Sequence, residues 1–521
     1  MTSTHATFDG PAVLVVGAGP TGLFLALMLA RQGVRVRLID QKSGPAQQSR
    51  AMGVQARTLE FYRQIGLSEA LVGLGIPTGD AHVWVNGQER VNFSLKNMGE
   101  GLSPYPFLLT LAQDVHEQFL IEQLAACDVH VEWNTALKNL SQSKTQVTAT
   151  LERVDGTEER VDVPYLVGCD GASSATRHAL EIGFGGGTSE GLFYVADVEI
   201  DRENHDVHVG ISGDTLNLMM PVRTSGMQRL LGIVPKAIAT QPEISFADVG
   251  AASTHLLNID VQSVNWFSTY QVHHRVADHF RVGRCFIAGD AGHIHSPVGG
   301  QGMNTGLGDA MNLAWKLAQV LANRADARLL DTYEPERIAF AQQLIATTDS
   351  LFQKMVAEGW VAQFLRTVIA PLLIGLLTQF QSTKQALFRA VSQIQVAYRG
   401  SSLSIGGGGR ILPGDRLPFV AELDNHQSLS RLDWQIHIYG EASEALTEQA
   451  EALGLCITTF PYSPDVKAAG FARNGAYLIR PDGYIGLVIP KQSPASLTDY
   501  VQIWGLKFAP QPVSTPNAIA A

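Results

Sequence analysis

Three stretches of this chain carry residues whose types and spacing suit chemistry. The first is Gly17-Ala18-Gly19-Pro20-Thr21-Gly22, set between the apolar run AVLVV and the helix-like TGLFLALMLARQ. Asp40 closes the next apolar run, 18 positions after Gly22. Gly17 permits a tight turn, Gly19 lets a pyrophosphate approach the backbone, and Gly22 lets helix and strand pack closely. The helix start at Pro20 and Thr21 offers N–H groups and a partial positive charge to an anion. Asp40 is placed to accept from ribose hydroxyls. Strand, turn, helix, strand and acid in this order predict a dinucleotide site, with NAD and FAD both admissible on the motif alone.

The second stretch, Asp170-Gly171-Ala172-Ser173-Ser174-Ala175-Thr176-Arg177, follows the apolar YLVGC and by itself is an ordinary turn and helix start. The third, GDAGHIHSPVGGQGMNTG at 289–306, holds six glycines with Asp290, His293 and His295. A metal site, a phosphate loop and a structural turn all compete for it. Two histidines two apart in an irregular loop need further ligands, and no HxxxH or cysteine cluster supplies them, so no metal is predicted.

These stretches need a large scaffold, and 521 residues at 45% hydrophobic and 17% charged provide an ordinary globular one of several domains. A net charge of −11 argues against a nucleic-acid partner, which would need a basic face. Cys127, Cys169, Cys285 and Cys456 lie far apart without a CxxC pair, which reads as reduced thiols in a cytoplasmic protein. The opening MTSTHATFDG has no basic n-region or cleavage signature of a secretory leader. GWVAQFLRTVIAPLLIGLLTQF at 359–380 approaches membrane-spanning length, but Arg366 and Pro371 interrupt it, and a packed helix pair is the expectation.

The elements follow from periodicity. Residues 10–40 read as a βαβ unit, with the helix stopped at Gly33. HVWVNG and RVNFSL read as strands, and DVHEQFLIEQLAA (114–126) as a helix opened by a capping-box variant of Asp114 and Glu117. Residues 190–275 are mostly β: Val207, Val209 and Ile211 alternate with their neighbours, as do Leu216, Leu218 and Met220, predicting a half-exposed antiparallel sheet. RCFIAGD is another buried strand. After it, Leu307, Met311, Ala314, Ala318 and Leu321 share one helix face. Residues 337–399 look helical throughout. The Gly/Pro/Ser-rich stretch 401–418 precedes an α/β tail with strands in LDWQIHIYG, LCITTF and AYLIRPDGYIGLVIP.

Taken in order, GAGPTG with Asp40, the DG-x-x-S-x-x-R element and GDAGHIHSPVGGQGMNTGLGDAMNLAWKLA resemble the flavin-dependent aromatic hydroxylases, the single-component FAD monooxygenases related to 4-hydroxybenzoate and phenol hydroxylase. SRAMGVQARTLEFYRQIGL and LAQDVHEQFL match further blocks of that family, over about residues 10 to 340. The resemblance implies an α/β fold: a Rossmann-like FAD-binding domain (1–75, 106–189 and 276–400), an inserted antiparallel-sheet substrate domain (76–105 and 190–275), and a thioredoxin-like C-terminal domain (410–521). With no CxxC, thiol redox chemistry in the tail is not expected. A packing or self-association role is assigned to it, which admits a homodimer.

By the same matching, FAD lies on Gly17, Gly19, Pro20, Thr21, Gly22 and Asp40, with Arg50 and Gln113 at its ribityl and pyrophosphate region. Asp290 meets a ribityl hydroxyl and Pro297 lies beside the isoalloxazine. The backbone of Gly302, Met303 and Asn304 meets the pyrimidine edge, where a helix start faces the charge of reduced flavin. NAD(P)H binds transiently, assisted by the element at Asp170, since no second GxGxxG is present. The family then forms a flavin C4a-hydroperoxide from oxygen and hydroxylates an electron-rich ring, with no side-chain nucleophile required. Baeyer–Villiger or epoxidising oxygenation, and a flavin-binding scaffold without turnover, are the alternatives. Phenol hydroxylases carry an Asp where this chain has Met52, and an Arg-x-Tyr where it has Arg229-Leu230-Leu231. With Met220, these residues predict an apolar lining for a larger aromatic or polyketide-like substrate. His273 and His274, Trp266 and Phe267 are read as sheet and core residues.

Overall fold

The computed structural model of the chain describes residues 10–46, 51–212, 215–295, 300–356, 367 and 370–508. Arg50 and Pro297 lie outside these residues, as do residues 359–366, 368 and 369 of the apolar stretch 359–380.

The apolar run Val13–Val16 forms a buried strand because its residues are covered on both faces. Helix Pro20–Arg31 follows, and a parallel strand Val36–Ile39 pairs beside the first. On the other edge Val13–Val16 pairs parallel with Tyr165–Gly168, which pairs parallel with Cys285–Ile287. Segments more than a hundred positions apart thus build one sheet, and each of the three stretches singled out above leaves its C-terminal edge. Ligands of open parallel sheets bind at such an edge.

A second, eight-stranded sheet combines Asp80–Val85 and Gln88–Ser94 with strands between Phe184 and Ala277, and His293–Ile294 joins at its edge. One expectation is corrected here. The sheet is mixed, because Asp80–Val85 pairs parallel with Val207–Ser212. Its exposure is confined to strands such as Gln88–Ser94 and Val261–Ala277, because over the central strands helix Phe246–Leu257, absent from the sequence reading, packs Val249 and Leu257 on the face carrying Tyr194, Ala196, Met219 and Leu230. The opposite face meets Met52, Ala112 and Val115 of the first unit.

Helix Gln113–Ala125 forms where predicted, but Asp114 and Glu117 build no capping box. Asp114 instead pairs with Arg223 at 2.6 Å, tying the helix to the second sheet. Glu117 accepts from Gln113 Nε2 (2.8 Å) and the Ala46 amide (3.1 Å). The helical region after 337 is also interrupted: helices cover Tyr333–Val356, Ala370–Leu377 and Gln381–Val391, and residues 392–399 are not helical. Among the described residues no helix is long and apolar enough to cross a membrane. The tail forms a five-stranded mixed sheet with one apolar core of its own and a second shared with Trp315, Ala325 and Leu329.

Candidate functional site

At Gly17 the backbone takes φ +103°, and a side chain there would collide with the Cys169 carbonyl. A methyl at Gly22 would collide with the Gly17 carbonyl oxygen. Gly19 differs: a Cβ would meet nothing within 4 Å, and the helix it opens has no side-chain cap and no acidic residue in its first turn. Two of the three glycines thus shape the turn, and the third leaves an open approach to uncapped N–H groups. Asp40 is almost buried, and its carboxylate accepts from the Ala18 amide (2.7 Å) and the Lys42 amide (2.8 Å). It fixes the glycine turn as a structural part, a role the sequence reading had not given it.

Thr21 connects this turn to the third stretch, since Gly289 and Gly306 both leave room for its side chain. Gly289–Ala291 form a single 3-10 turn on which Asp290 is exposed. Helix Gln301–Leu321 then begins from Gly300 in the left-handed region (φ +62°), again uncapped and without an acid in its first turn. Gly302 and Met303 are half-buried in that turn. Two helix starts and the Asp290 turn therefore converge, an arrangement suited to an anionic, extended ligand.

Asn304 is fully buried, and its side chain is used on all sides. Oδ1 accepts from Gln55 N (2.9 Å) and Thr58 Oγ1 (2.8 Å), while Nδ2 donates to Gly53 O and Gly300 O, both at 2.8 Å. Gln113 Oε1 accepts from the Ala51 amide at 3.0 Å, one position after Arg50 in the sequence. Asp170 accepts from Ser174 Oγ, Thr176 N and Thr176 Oγ1 at 2.5–3.0 Å, holding the start of helix Ala175–Ala179. Arg177 donates to Ala291 O (3.0 Å) and so joins the second stretch to the Asp290 turn.

Beneath that turn lies a group the sequence reading missed. Buried Asp309 accepts from Gly289 N (2.9 Å), His293 Nε2 (2.7 Å) and Arg337 Nε (2.5 Å). Burial alone would raise the Asp309 pKa, but Arg337 and His293 hold it below its ordinary value. His293 is thereby a structural donor. Among the described residues no three His, Cys, Asp or Glu side chains are grouped to hold a metal.

Met52, Met220 and Leu231 come together in one apolar cluster with Ala112, Val207 and Leu218. Across the second sheet, Met220 stands opposite Arg229, Arg229 opposite Asp197, and Asp197 opposite Trp266. Arg229 shares the face of Leu231 but is fully buried, with Nε and Nη2 on the two Asp197 oxygens at 2.7 and 2.8 Å and Trp266 stacked at 5.6 Å. Arg229 thus forms a buried ion pair on the sheet face that carries Met220 and Leu231. Burial pushes the nearby Tyr270 hydroxyl up to about 12, so it stays protonated.

Residues 11–348 match the FAD binding domain family. Over 95% of its length the chain is 35% identical to the 6-methylpretetramide 4-monooxygenase of Streptomyces rimosus, covering 93% of that protein. A rifampicin monooxygenase of Streptomyces venezuelae is 30% identical, with 91% of this chain and 94% of that protein aligned. The solved anhydrotetracycline hydroxylase OxyS of Streptomyces rimosus superposes with a TM-score of 0.73 at 26% identity, covering 95% of this chain and 99% of its own.

Proposed function

The chain belongs to the FAD-binding family of flavin-dependent aromatic monooxygenases, and on that premise we propose that it hydroxylates a polycyclic aromatic polyketide held against the apolar face of its second sheet. FAD is its cofactor, with oxygen and a reduced nicotinamide as co-substrates. When bound, the reduced flavin supplies oxygen activation. The chain's own residues bind, orient and exclude water.

The open approach at Gly19 and the uncapped start of helix Pro20–Arg31 fit the pyrophosphate. Exposed Asp290 fits a ribityl hydroxyl, and the first turn of helix Gln301–Leu321 fits the pyrimidine edge of the ring. The N–H groups of that turn are preorganised by Asn304, so they stabilise negative charge without reorganising. Because Asp40 and Asp170 are engaged by neighbouring groups, the ribose and the nicotinamide nucleotide meet their loops more than an unengaged carboxylate. The tail reads as a thioredoxin-like domain without thiol chemistry, since Cys456 is its one cysteine.

The observation that carries the substrate class is the apolar cluster of Met52, Met220 and Leu231. Met52 and Leu231 stand where the resembling phenol hydroxylases carry an Asp and a Tyr, so these two positions offer no group to ionise a simple phenol, and the substrate brings its own acidity, as fused phenolic rings do. Relatives acting on 6-methylpretetramide and rifampicin accord with this. The test is NADPH oxidation by the FAD-loaded protein with tricyclic and tetracyclic phenols set against monocyclic ones, followed by product mass. Stimulation by fused rings with one added oxygen supports the proposal. Turnover of monocyclic phenols alone would overturn it.

A further inference from the structure

The tail meets the FAD-binding unit at several places, among them Arg416 on Glu60 and Asp433 on Arg324, and one of these is the turn Arg480-Pro481-Asp482-Gly483-Tyr484, whose Arg480 and Asp482 are both buried. Arg480 places Nη1 and Nη2 on the two Glu336 oxygens at 2.8 and 2.9 Å, and Nη2 also reaches Asp482 at 2.7 Å. Lys316, fully buried, donates to Glu336 at 2.8 Å, and Trp315 Nε1 donates to Asp482 Oδ2 at 3.0 Å. Residues 315, 316 and 336 belong to the two helices that follow the flavin stretch.

Two routes lead from this turn back to that stretch. Along the first, the Asp482 carbonyl accepts from Arg57 Nη2 (2.7 Å), and the Tyr484 ring lies 4.8 Å from the same guanidinium. Arg57 sits between Gln55 and Thr58, whose donors both end on Asn304 Oδ1. Along the second, Tyr484 packs on Tyr398 with ring centroids 4.4 Å apart. The Tyr398 hydroxyl accepts from Arg337 Nη1 (2.9 Å), and Arg337 donates onward to Thr305 O (3.0 Å) and Asp309. Both routes finish on the first turn of helix Gln301–Leu321, and the second also reaches Gly289 through Asp309.

We propose that the Arg480–Tyr484 turn is a positioning element for the flavin, and that the C-terminal region serves the reaction by fixing the first turn of helix Gln301–Leu321 from behind. Buried, directional and charged contacts of this kind admit one arrangement, because a displaced partner leaves an unpaired buried group. A site of this type must be held within a fraction of an ångström by the shell behind it. The inference rests on the FAD assignment above and concerns residues that do not touch the cofactor.

The test uses the full-length chain stripped of flavin. Tyr398→Phe removes only the hydroxyl that accepts from Arg337, and Trp315→Phe only the donor to Asp482. Asn425→Ala is the control: its amide binds Val420, Pro418 and the Tyr439 hydroxyl, all within the tail. FAD affinity is read by flavin fluorescence, together with the visible spectrum of the bound flavin and the Tm of the apoprotein. Tyr398→Phe is expected to raise the FAD Kd about tenfold, the size of one buried hydrogen bond, and to shift the flavin spectrum. Trp315→Phe is expected to change both in the same direction. Asn425→Ala is expected to lower Tm while leaving Kd and spectrum as in the wild type. Unchanged affinity and spectrum in both aromatic variants, or an equal rise in Kd for Asn425→Ala, would overturn the proposal. A wild-type chain that binds no FAD would overturn the cofactor assignment and this inference with it, a result distinct from either.

Discussion

Replacing Asn304 tests whether the first turn of helix Gln301–Leu321 is preorganised by the side chain that the structure places there. Its four hydrogen bonds, at 2.8–2.9 Å, connect the helix to Gly53, Gln55 and Thr58 and close its own first turn on Gly300. Asn304→Ala strands two donors and two acceptors at roughly 1–3 kcal/mol each, and water entering the vacated space recovers part of that, leaving about 3–5 kcal/mol. Asn304→Asp keeps both acceptor roles but points an oxygen at two carbonyls, and it must bury a charge or take up a proton. The aspartate variant should therefore be the worse of the two despite its closer shape. Urea midpoints of the apoprotein give the stability loss, and flavin fluorescence titration gives the FAD Kd, which should rise more than tenfold in both variants, or by over about 1.4 kcal/mol. An aspartate variant with wild-type midpoint and affinity would refute the reasoning, because it would mean the four bonds hold nothing in place.

Gly22→Ala drives a methyl into the Gly17 carbonyl and should yield protein that is flavin-free or insoluble, as judged by the absorbance of the purified material. Arg229→Leu leaves the Asp197 carboxylate buried without its guanidinium and should cost about 3–5 kcal/mol in urea unfolding, much of it regained in the Arg229→Leu, Asp197→Leu double variant. Acid should destabilise the fold early. Burial holds His116 near about 4 and His426 and His437 near about 3, against an ordinary 6.5. Their folded values lie below the unfolded one, so the unfolded chain takes up protons first as pH falls. Each should therefore cost about 2 kcal/mol between pH 6.5 and 5. Glu60 and Glu336, held low by Arg416 and Arg480 against the opposing effect of burial, add to the loss as pH falls further below 4.5. A urea midpoint that stays flat from pH 7 to 5 would contradict this.

The parts of the fold that could be read in the chain are those encoded locally. The βαβ unit at 13–39 declares itself because a buried parallel strand is a continuous apolar run and the glycine turn follows it directly. Helix Phe246–Leu257 was hidden by its small residues among strands, although Ser245 and Asp248 form a genuine capping box that the spacing could have revealed. Asp114 and Glu117 had a similar spacing, but tertiary partners claimed both side chains. The network around Asn304, Asp309 and Arg480 joins positions up to 425 apart, and a single sequence carries no register for such pairs. One signal was available: Asp309, Asn312 and Lys316 lie at steps of three and four along the otherwise apolar stretch 307–318 of the helix, which marks a buried polar stripe awaiting partners.

The Arg480 turn also sets an order of events during synthesis. Glu336 and Lys316 are made early, yet the guanidinium that completes their pairing follows Glu336 by 144 positions. At ~5–20 residues per second, that interval is roughly 7–30 s. Until it ends, the nascent chain holds two charges and an indole N–H that can be buried only incompletely, so the packing behind the flavin helix must stay open to water. The last quarter of the chain thus acts as a latch on maturation. A ribosome that stops short of Tyr484 releases a protein whose glycine turns are all present and whose flavin helix still lacks its backing.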